Sequence, residues 1–399
     1  MLFRLLTPIY LLITIFSSLT ISQTLHTDDR WILNSRNQRV KLNCVNWAGH
    51  GETNIPEGLH AQSIGYITSW IAKNGFNCVR LTYSTDMALN PHQLVSRSFK
   101  DAAEETGLGK NVTDLYKKVV QKNPLLLLAT TRGTFAAVIA SLGLKGVMVI
   151  LDNHNSEAGW CCSTNDGNGW WDEASGYVEA NSRNFNTKNW VQGLSEMAKF
   201  GRIFPNVVGY SLRNELRAVQ GQNNSDWYEF VERGAAAVHK ADPQGLVVIG
   251  GVNYALELEF LKKKNFDRKK LGIEKKTVWE FHTYTWSGSY TNECARYAPK
   301  LDVDPGFLVE SNQAYTGPIF LSEFGWAQNG PSKNEQVYYD CLSNWLGQNQ
   351  VGWAYWALQG SYYIREGRAD YDEGFGLLSQ DWKGWRNESF PAVWSAAWN

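Results

Sequence analysis

From residue 40 onward, short apolar runs rich in β-branched residues alternate with longer stretches of helical spacing. The runs that read as strands are 40–47 (VKLNCVNW), 78–83 (CVRLTY), 146–152 (GVMVILD), 207–212 (VVGYSL), 246–250 (LVVIG), 277–283 (TVWEFHT), 318–323 (PIFLSE) and 351–357 (VGWAYWA). They are near-continuously apolar and do not alternate with polar positions. That pattern belongs to parallel strands covered on both faces. The intervals 59–74, 112–142, 187–200, 225–240, 255–264 and 333–348 carry the helical pattern. Ser225 suits the N-cap of the fourth of these, and Asp226 suits its positive end. Eight strand–helix repeats predict an α/β fold, a (β/α)8 TIM barrel. A doubly wound sheet is the alternative, but no G-x-G-x-x-G follows the first strand. Residues 25–39 read as a short N-terminal β-hairpin turning at NSRN and placed to plug the barrel bottom. No linker to a second domain appears, so 23–399 reads as one barrel ending soon after its last strand and helix.

The first 22 residues change the setting. Arg4 precedes an apolar run, and Ser17, Ser18 and Ser22 follow it. This reads as a secretory signal peptide cut near Ser22. The run is too short and Thr-interrupted to favour a retained anchor. The expected location is extracellular or in the cell wall, with no membrane association after cleavage. Six cysteines (44, 78, 161, 162, 294 and 341) would then meet an oxidising compartment. Six allow 15 pairings, and the spacing selects none; the adjacent Cys161 and Cys162 are expected to find other partners. Asn111, Asn223 and Asn387 begin N-x-S/T triplets and are candidate glycan sites.

Net charge is −1, which gives no electrostatic case for a nucleic acid or an anionic membrane as partner. Hydrophobic residues make up 43% and charged residues 19%, enough for a large core. The 18 Trp exceed what a core needs and suggest flat apolar surfaces for sugar rings, although many must simply pack.

A barrel places chemistry at the C-terminal ends of its strands. Asn46, Trp47 and His50 fall at the first. Arg80 and Tyr83 lie on the second, and Asp152 to Asn155, including His154, end the third. Asn214 and Glu215 end the fourth, with Arg213 expected on the outer side as a bystander. His282, Thr283 and Tyr284 end the sixth, Glu323 the seventh, and Trp356 the eighth. Strands four and seven face each other across a barrel mouth, so Glu215 and Glu323 can flank one bond. Glycoside hydrolysis needs such a pair, one acid to protonate the leaving oxygen and one carboxylate to attack or to activate water. A lone Glu would more simply be a solvated loop residue; two at matched strand ends, with Asn, His, Arg and Tyr arriving beside them, favour a site.

RNE after strand four, SEFGW at strand seven, FHTY at strand six, VRL at strand two and YW at strand eight together resemble glycoside hydrolase family 5, the cellulase-type clan of retaining β-glycosidases. The likeness spans nearly the whole mature chain and rests on the order of weak motifs. It implies Glu215 as acid/base and Glu323 as nucleophile. It also implies Asn214 on the sugar 2-hydroxyl, Arg80 and Tyr284 on the nucleophile, His154 and His282 lining the cleaved-sugar subsite, and Trp356 as its stacking floor. Retention implies carboxyl groups about 5–5.5 Å apart. Leu216 stands where family members often have Pro, and Ser322 where many have Gly; both bear on backbone shape more than on chemistry.

The loop HNSEAGWCCSTNDGNGWWDEAS (154–175) is long and Gly-rich, as functional loops often are. Its Trp160, Trp170 and Trp171, with Trp47, Trp286 and Trp326, are candidate sugar platforms; packing of the loop onto the barrel is the alternative for each. Cys161 and Cys162 are expected to staple it. A zinc hydrolase using His50, His154 and His282 is a rival, but no H-x-H or H-E-x-x-H occurs. No G-x-S-x-G elbow supports an esterase, and a barrel that binds sugar without cleaving it is a third reading. The sequence therefore predicts a monomeric hydrolase of a β-linked oligo- or polysaccharide that needs no cofactor. The first substrate expectation is β-1,4-glucan cut internally, with β-mannan or another β-glucoside next.

Overall fold

The computed structural model describes residues 24–398 apart from 220–223, 288–289 and 291. The proposed signal peptide and Asn223 lie outside the described residues. The chain opens with an antiparallel hairpin, β1 (His26–Asp28) and β2 (Trp31–Leu33). Its turn is Asp29-Arg30, not the expected NSRN, which makes a second reversal bringing Leu33 opposite Arg39.

Eight parallel strands then close a barrel: β3 (Asn43–Trp47), β4 (Cys78–Ser84), β5 (Met148–Asn155), β6 (Val207–Ser211), β7 (Leu246–Gly250), β8 (Thr277–His282), β9 (Ile319–Phe324) and β10 (Gly352–Tyr355). All eight runs expected from the apolar pattern are present. β10 pairs with both β3 and β9 and seals the ring.

The helical pattern was less complete. The stretch 112–142 forms two helices, Lys110–Lys122 and Thr131–Gly143. They are separated at Asn123-Pro124, where Pro cannot continue the first helix. Of 255–264 only a 3-10 turn at Glu259–Lys262 forms. The helix Asn224–Ala241 starts one residue early, so Ser225 lies inside its first turn and not at its cap. β10 is followed by an unanticipated hairpin, β11 (Ser361–Arg365) and β12 (Arg368–Asp372). Glu366 and Gly367 form its turn, both at positive φ. Glu at the first turn position departs from the Asn-Gly or Asp-Gly that mark such turns.

Side chains point inward at every second strand residue. Near the strand starts these are Cys44, Cys78, Met148, Ile150, Val208, Leu246, Val248, Val278, Phe320 and Ala354. Leu25, Ile32 and Leu42 join this cluster, so the N-terminal hairpin does plug the barrel bottom. Further along the same strands the interior turns polar, with Asn46, Arg80, Asp152, Ser211 and Glu280 all buried. The outward faces pack against the helices in a separate, larger core.

Three disulfides form. Cys44–Cys78 ties β3 to β4 at a register pair, and Cys294–Cys341 ties the helices Cys294–Val303 and Lys333–Asn349. Cys161 and Cys162 bond each other, against expectation. A trans peptide would hold neighbouring Cα atoms about 3.8 Å apart; here the peptide is cis, the Cα atoms are 3.1 Å apart, and both sulfurs lie on one side of the chain.

Candidate active site

Two local irregularities aim the carboxyl groups. Along β9, strict alternation from Phe320 would turn Ser322 and Phe324 inward. The register with β8 instead slips between Phe281↔Leu321 and His282↔Glu323, and it slips against β10 as well. This bulge inserts one residue and re-aims the side chains beyond it. Glu323 enters the barrel mouth, while Phe324 packs outward against Trp394. Glu215 lies beyond the end of β6 at φ +46°, a left-handed conformation uncommon outside Gly. Leu216 follows it into the core, 2% exposed, and its carbonyl accepts from Tyr254 N. Leu216 thus anchors the turn by packing. Ser322 is fully buried, and its carbonyl accepts from Asn46 Nδ2.

The Glu215 and Glu323 side chains are 13% and 9% exposed. One oxygen of each, with one ring nitrogen of His282, all lie within 4.8 Å of one another. Glu323 Oε1 accepts from Tyr284 Oη at 2.8 Å, and its Oε2 from Arg80 Nη1 at 3.4 Å. Glu215 Oε1 is 2.9 Å from His282 Nδ1. Arg80 is the hub below them. Its Nη1 also donates to Asn46 Oδ1 at 3.0 Å, and its Nη2 donates to Asp152 Oδ1 at 2.8 Å and Asn214 Oδ1 at 2.9 Å. Asp152 Oδ2 holds His154 Nδ1 at 2.7 Å, and His154 Nε2 is 3.3 Å from Asn214 Nδ2. Asn46 and Asp152, placed at strand ends from the sequence but given no role, and the buried Glu280, not singled out there, are site members; inward parity on three strands was the available signal.

Burial dominates the electrostatics. It raises Glu215 to about 7, opposed by Arg217 and Arg80. It also raises Glu323 to about 7; His282 and Arg80 oppose that rise and the charge of Glu215 adds to it. Two such carboxyls share one proton near neutrality. Glu323 has two donors that favour its anion, whereas Glu215 has the His282 contact, so the proton belongs on Glu215 and the charge on Glu323. Burial keeps His50, His154 and His282 below the ordinary histidine value and therefore neutral. For Arg80 burial works against the charge, but Asp152, Glu280 and Glu323 outweigh it and raise its pKa.

The Cellulase (glycosyl hydrolase family 5) model matches residues 33–361. A glycosyl hydrolase 5 family protein of Chamaecyparis obtusa is 36% identical over 97% of this chain and 68% of its own length. The chain belongs to glycosyl hydrolase family 5. It is therefore a glycoside hydrolase. An endoglucanase of Paenibacillus polymyxa is 22% identical over 90% of the chain and 83% of its own length. A solved endocellulase of Pyrococcus horikoshii, in complex with cellotetraose, superposes with a TM-score of 0.68 at 18% identity, covering 94% of this chain and 99% of that one.

In this family 5 barrel the two acids open into a cleft of about 710 Å³. His154, His282, Tyr284 and Trp356 line it as the sequence suggested, together with Trp160 and Trp286. Trp356 stacks on His154 at 5.2 Å, and Trp286 lies parallel to Tyr284 at 4.5 Å. Arg365, Glu373 and Phe375, from the unanticipated hairpin and the turn after it, complete the wall.

Four proposed platforms are corrected. Trp47, Trp170 and Trp171 are 0% exposed and Trp326 1%, so none can meet a sugar. Trp47 follows the inward Asn46 and points outward, donating Nε1 to Glu57 O. Trp170 and Trp171 pack the loop down, Trp171 against Phe185, Trp190 and Phe230. Trp326 lies among Tyr339, Phe390 and Trp394. Arg213 is no bystander. It is buried against the Phe185 ring and donates to Asn153 Oδ1, Ser156 Oγ and Asn168 O, pinning the loop after β5. The three histidines offered, with acids, as zinc ligands do not share one cluster among the described residues. His282 groups with Glu215 and Glu323, His154 groups with Cys161 and Cys162, and His50 stacks on His154 at 3.9 Å with its Nδ1 2.6 Å from Thr82 Oγ1.

Proposed function

We propose that the protein is a secreted, retaining endo-β-1,4-glucanase in which Glu323 is the nucleophile and Glu215 the acid/base. The observation that carries this reading is the sub-5 Å approach of the two carboxyl groups, within 4.8 Å at their nearest oxygens. That near approach fits the carboxyl separation of about 5–5.5 Å in retaining enzymes, and it favours direct attack by Glu323 over attack by an interposed water. Glu215 protonates the glycosidic oxygen as Glu323 attacks the anomeric carbon. The carbon–oxygen bond breaks, the first product leaves, and a glycosyl ester remains on Glu323. Glu215, now a carboxylate, takes a proton from water, which attacks the same carbon and frees Glu323. Tyr284 and Arg80 hold Glu323 ionised and aimed. Asn214, fixed by Arg80, presents its amide to the sugar 2-hydroxyl, while His154 and His282 line the subsite. Trp356 is the floor under the ring.

The substrate reading draws on two relatives, the Paenibacillus endoglucanase and the Pyrococcus endocellulase bound to cellotetraose. Trp286, 67% exposed, gives a chain a flat surface at the cleft wall, which supports internal cutting. Secretion draws on the apolar N-terminus and the three disulfides. Residues 23–399 act as one catalytic barrel and a monomer. Asn111 is exposed and open to a glycan. Asn387 Oδ1 accepts from Ser389 N and Oγ, contacts that do not engage Nδ2, the atom a glycan joins.

The test is hydrolysis of a panel of soluble β-1,4-glucan, β-mannan and aryl β-glycosides, with the product anomer followed by NMR. The expected result is a rapid fall in glucan viscosity, with the β-anomer appearing first. Initial α-anomer would overturn the assignment of Glu323 as nucleophile. Cleavage of mannan alone would overturn the glucan reading.

A further inference from the structure

The Cys161–Cys162 disulfide does nothing for the fold that a disulfide ordinarily does. A cross-link stabilises mainly by closing a loop in the unfolded chain, and the effect grows with loop length. The other two bridges span 34 and 47 residues, whereas this one joins neighbours and closes no loop. Its location suggests a different purpose. Both cysteines line the catalytic cleft. Asn214 Nδ2 lies 3.4 Å from Cys162 Sγ and 3.9 Å from Cys161 Sγ. One ring nitrogen of His154 is within 4.8 Å of both sulfurs.

The unit is also clamped from both sides. Before it, Trp160 is covered by the Arg365 guanidinium at 3.8 Å, and Arg365 is itself paired with Glu373 at 2.6 Å. After it, the Ser163 carbonyl accepts from Arg217 Nε at 2.8 Å, and Arg217 is paired with Asp166 at 2.6 Å. Two thiols on this segment would rotate independently and offer polar S–H groups; the bonded pair offers one fixed, apolar, polarisable face beside Asn214.

We propose that the Cys161–Cys162 disulfide is a substrate-contacting wall of the cleft, a specificity-determining plate that packs against a sugar ring of the bound β-glycan. The inference rests on the proposed function. The sulfur pair acts in binding and carries no proton, so its loss raises KM and leaves kcat. Because it closes no loop, its loss leaves the melting temperature in place.

The experiment compares wild type with Cys161→Ala/Cys162→Ala on the panel substrate that the wild type turns over best, with Cys294→Ala/Cys341→Ala as the fold control. The first double variant should show KM raised roughly tenfold, kcat within about twofold and a Tm within about 2 °C of wild type. The control should lose Tm and keep KM. A second route avoids substitution. Dithiothreitol applied to Cys294→Ala/Cys341→Ala breaks the Cys161–Cys162 bond, forms two thiols and closes its own cyclic disulfide; Cys44 and Cys78 are fully buried. With thiol titration counting two new thiols, KM should rise as in the double variant. An unchanged KM after either treatment would overturn the inference. So would a fall in Tm with the kinetics intact, since the bridge would then be structural. If the wild type cleaved no β-linked substrate at all, the proposed reaction would fail instead.

Discussion

The two ends of the barrel are built from the same eight strands and share almost nothing chemically. At the N-terminal end the inward positions are Cys, Met, Ile, Val, Leu, Phe and Ala, sealed by Leu25 and Ile32 of the hairpin. Two residues further along four of the strands they are Asn46, Arg80, Asp152 and Glu280, with Glu323 and Asn214 above them. Apolar burial is favourable and non-directional, so the lower end needs only the right volume. Buried charges are costly unless paired and hydrogen-bonded, so the upper end is held by a network in which Arg80 alone touches Asn46, Asp152, Asn214 and Glu323. Inside the ring, apolar packing occupies one end and the candidate chemistry the other.

The largest expected effect lies at the mouth. Glu323→Gln should lower turnover at least about a thousandfold while the protein stays folded. Its stability should rise in a pH-dependent way. An unfolded Glu titrates near about 4.3, and in the fold Glu215 and Glu323 titrate at about 7. The folded state therefore holds its proton longer. Stability is lost as pH climbs from the unfolded value through the folded one, and the loss is complete above it. Removing the Glu323 carboxylate removes its share of that loss, so the gain in Tm should be greatest above pH 7 and absent near pH 4. A gain that grows as pH falls would contradict the electrostatic account.

At the lower end the expected change is the reverse. Ile150→Ala opens a cavity and should cost about 2–5 kcal/mol, read as a lower urea midpoint, with kcat per folded molecule preserved. Loss of kcat at unchanged stability would show that the two ends are not separable. The smallest effect is expected at the rim. Trp286→Ala should raise KM for a long glucan about fivefold, leaving kcat and Tm nearly unchanged, because the ring is exposed and contacts the site through Tyr284 alone among groups bound to Glu323. Equal effects on a long glucan and on a short aryl glycoside would argue that Trp286 only supports Tyr284.

The residues that the sequence placed well are those whose position follows from strand parity or from a strand end. Arg80, His154, Asn214, Glu215, His282, Tyr284, Glu323 and Trp356 all meet at one mouth. The tryptophans failed because exposure is not a property of residue type. Trp170 and Trp171 carry the same indole as Trp160 in the same loop, yet two are buried and one faces the cleft. Arg365 and Glu373 were out of reach because the β11–β12 hairpin brings them to the cleft from beyond the eighth strand, and no local pattern announces that contact.

The apolar periodicity by itself determined the eight strands, the barrel and which strand ends carry chemistry, since a parallel strand must be apolar wherever helices cover it. The tertiary structure alone decided the final aim of the side chains. The bulge in β9 turned Glu323 inward where alternation would have kept it out, and the left-handed turn at Glu215 brought the second acid to meet it. The covalent pairing of Cys161 with Cys162 likewise shows only in the folded chain. Such features depend on pairing with strands and loops distant in the chain, and a one-residue shift in register changes every direction that parity predicts.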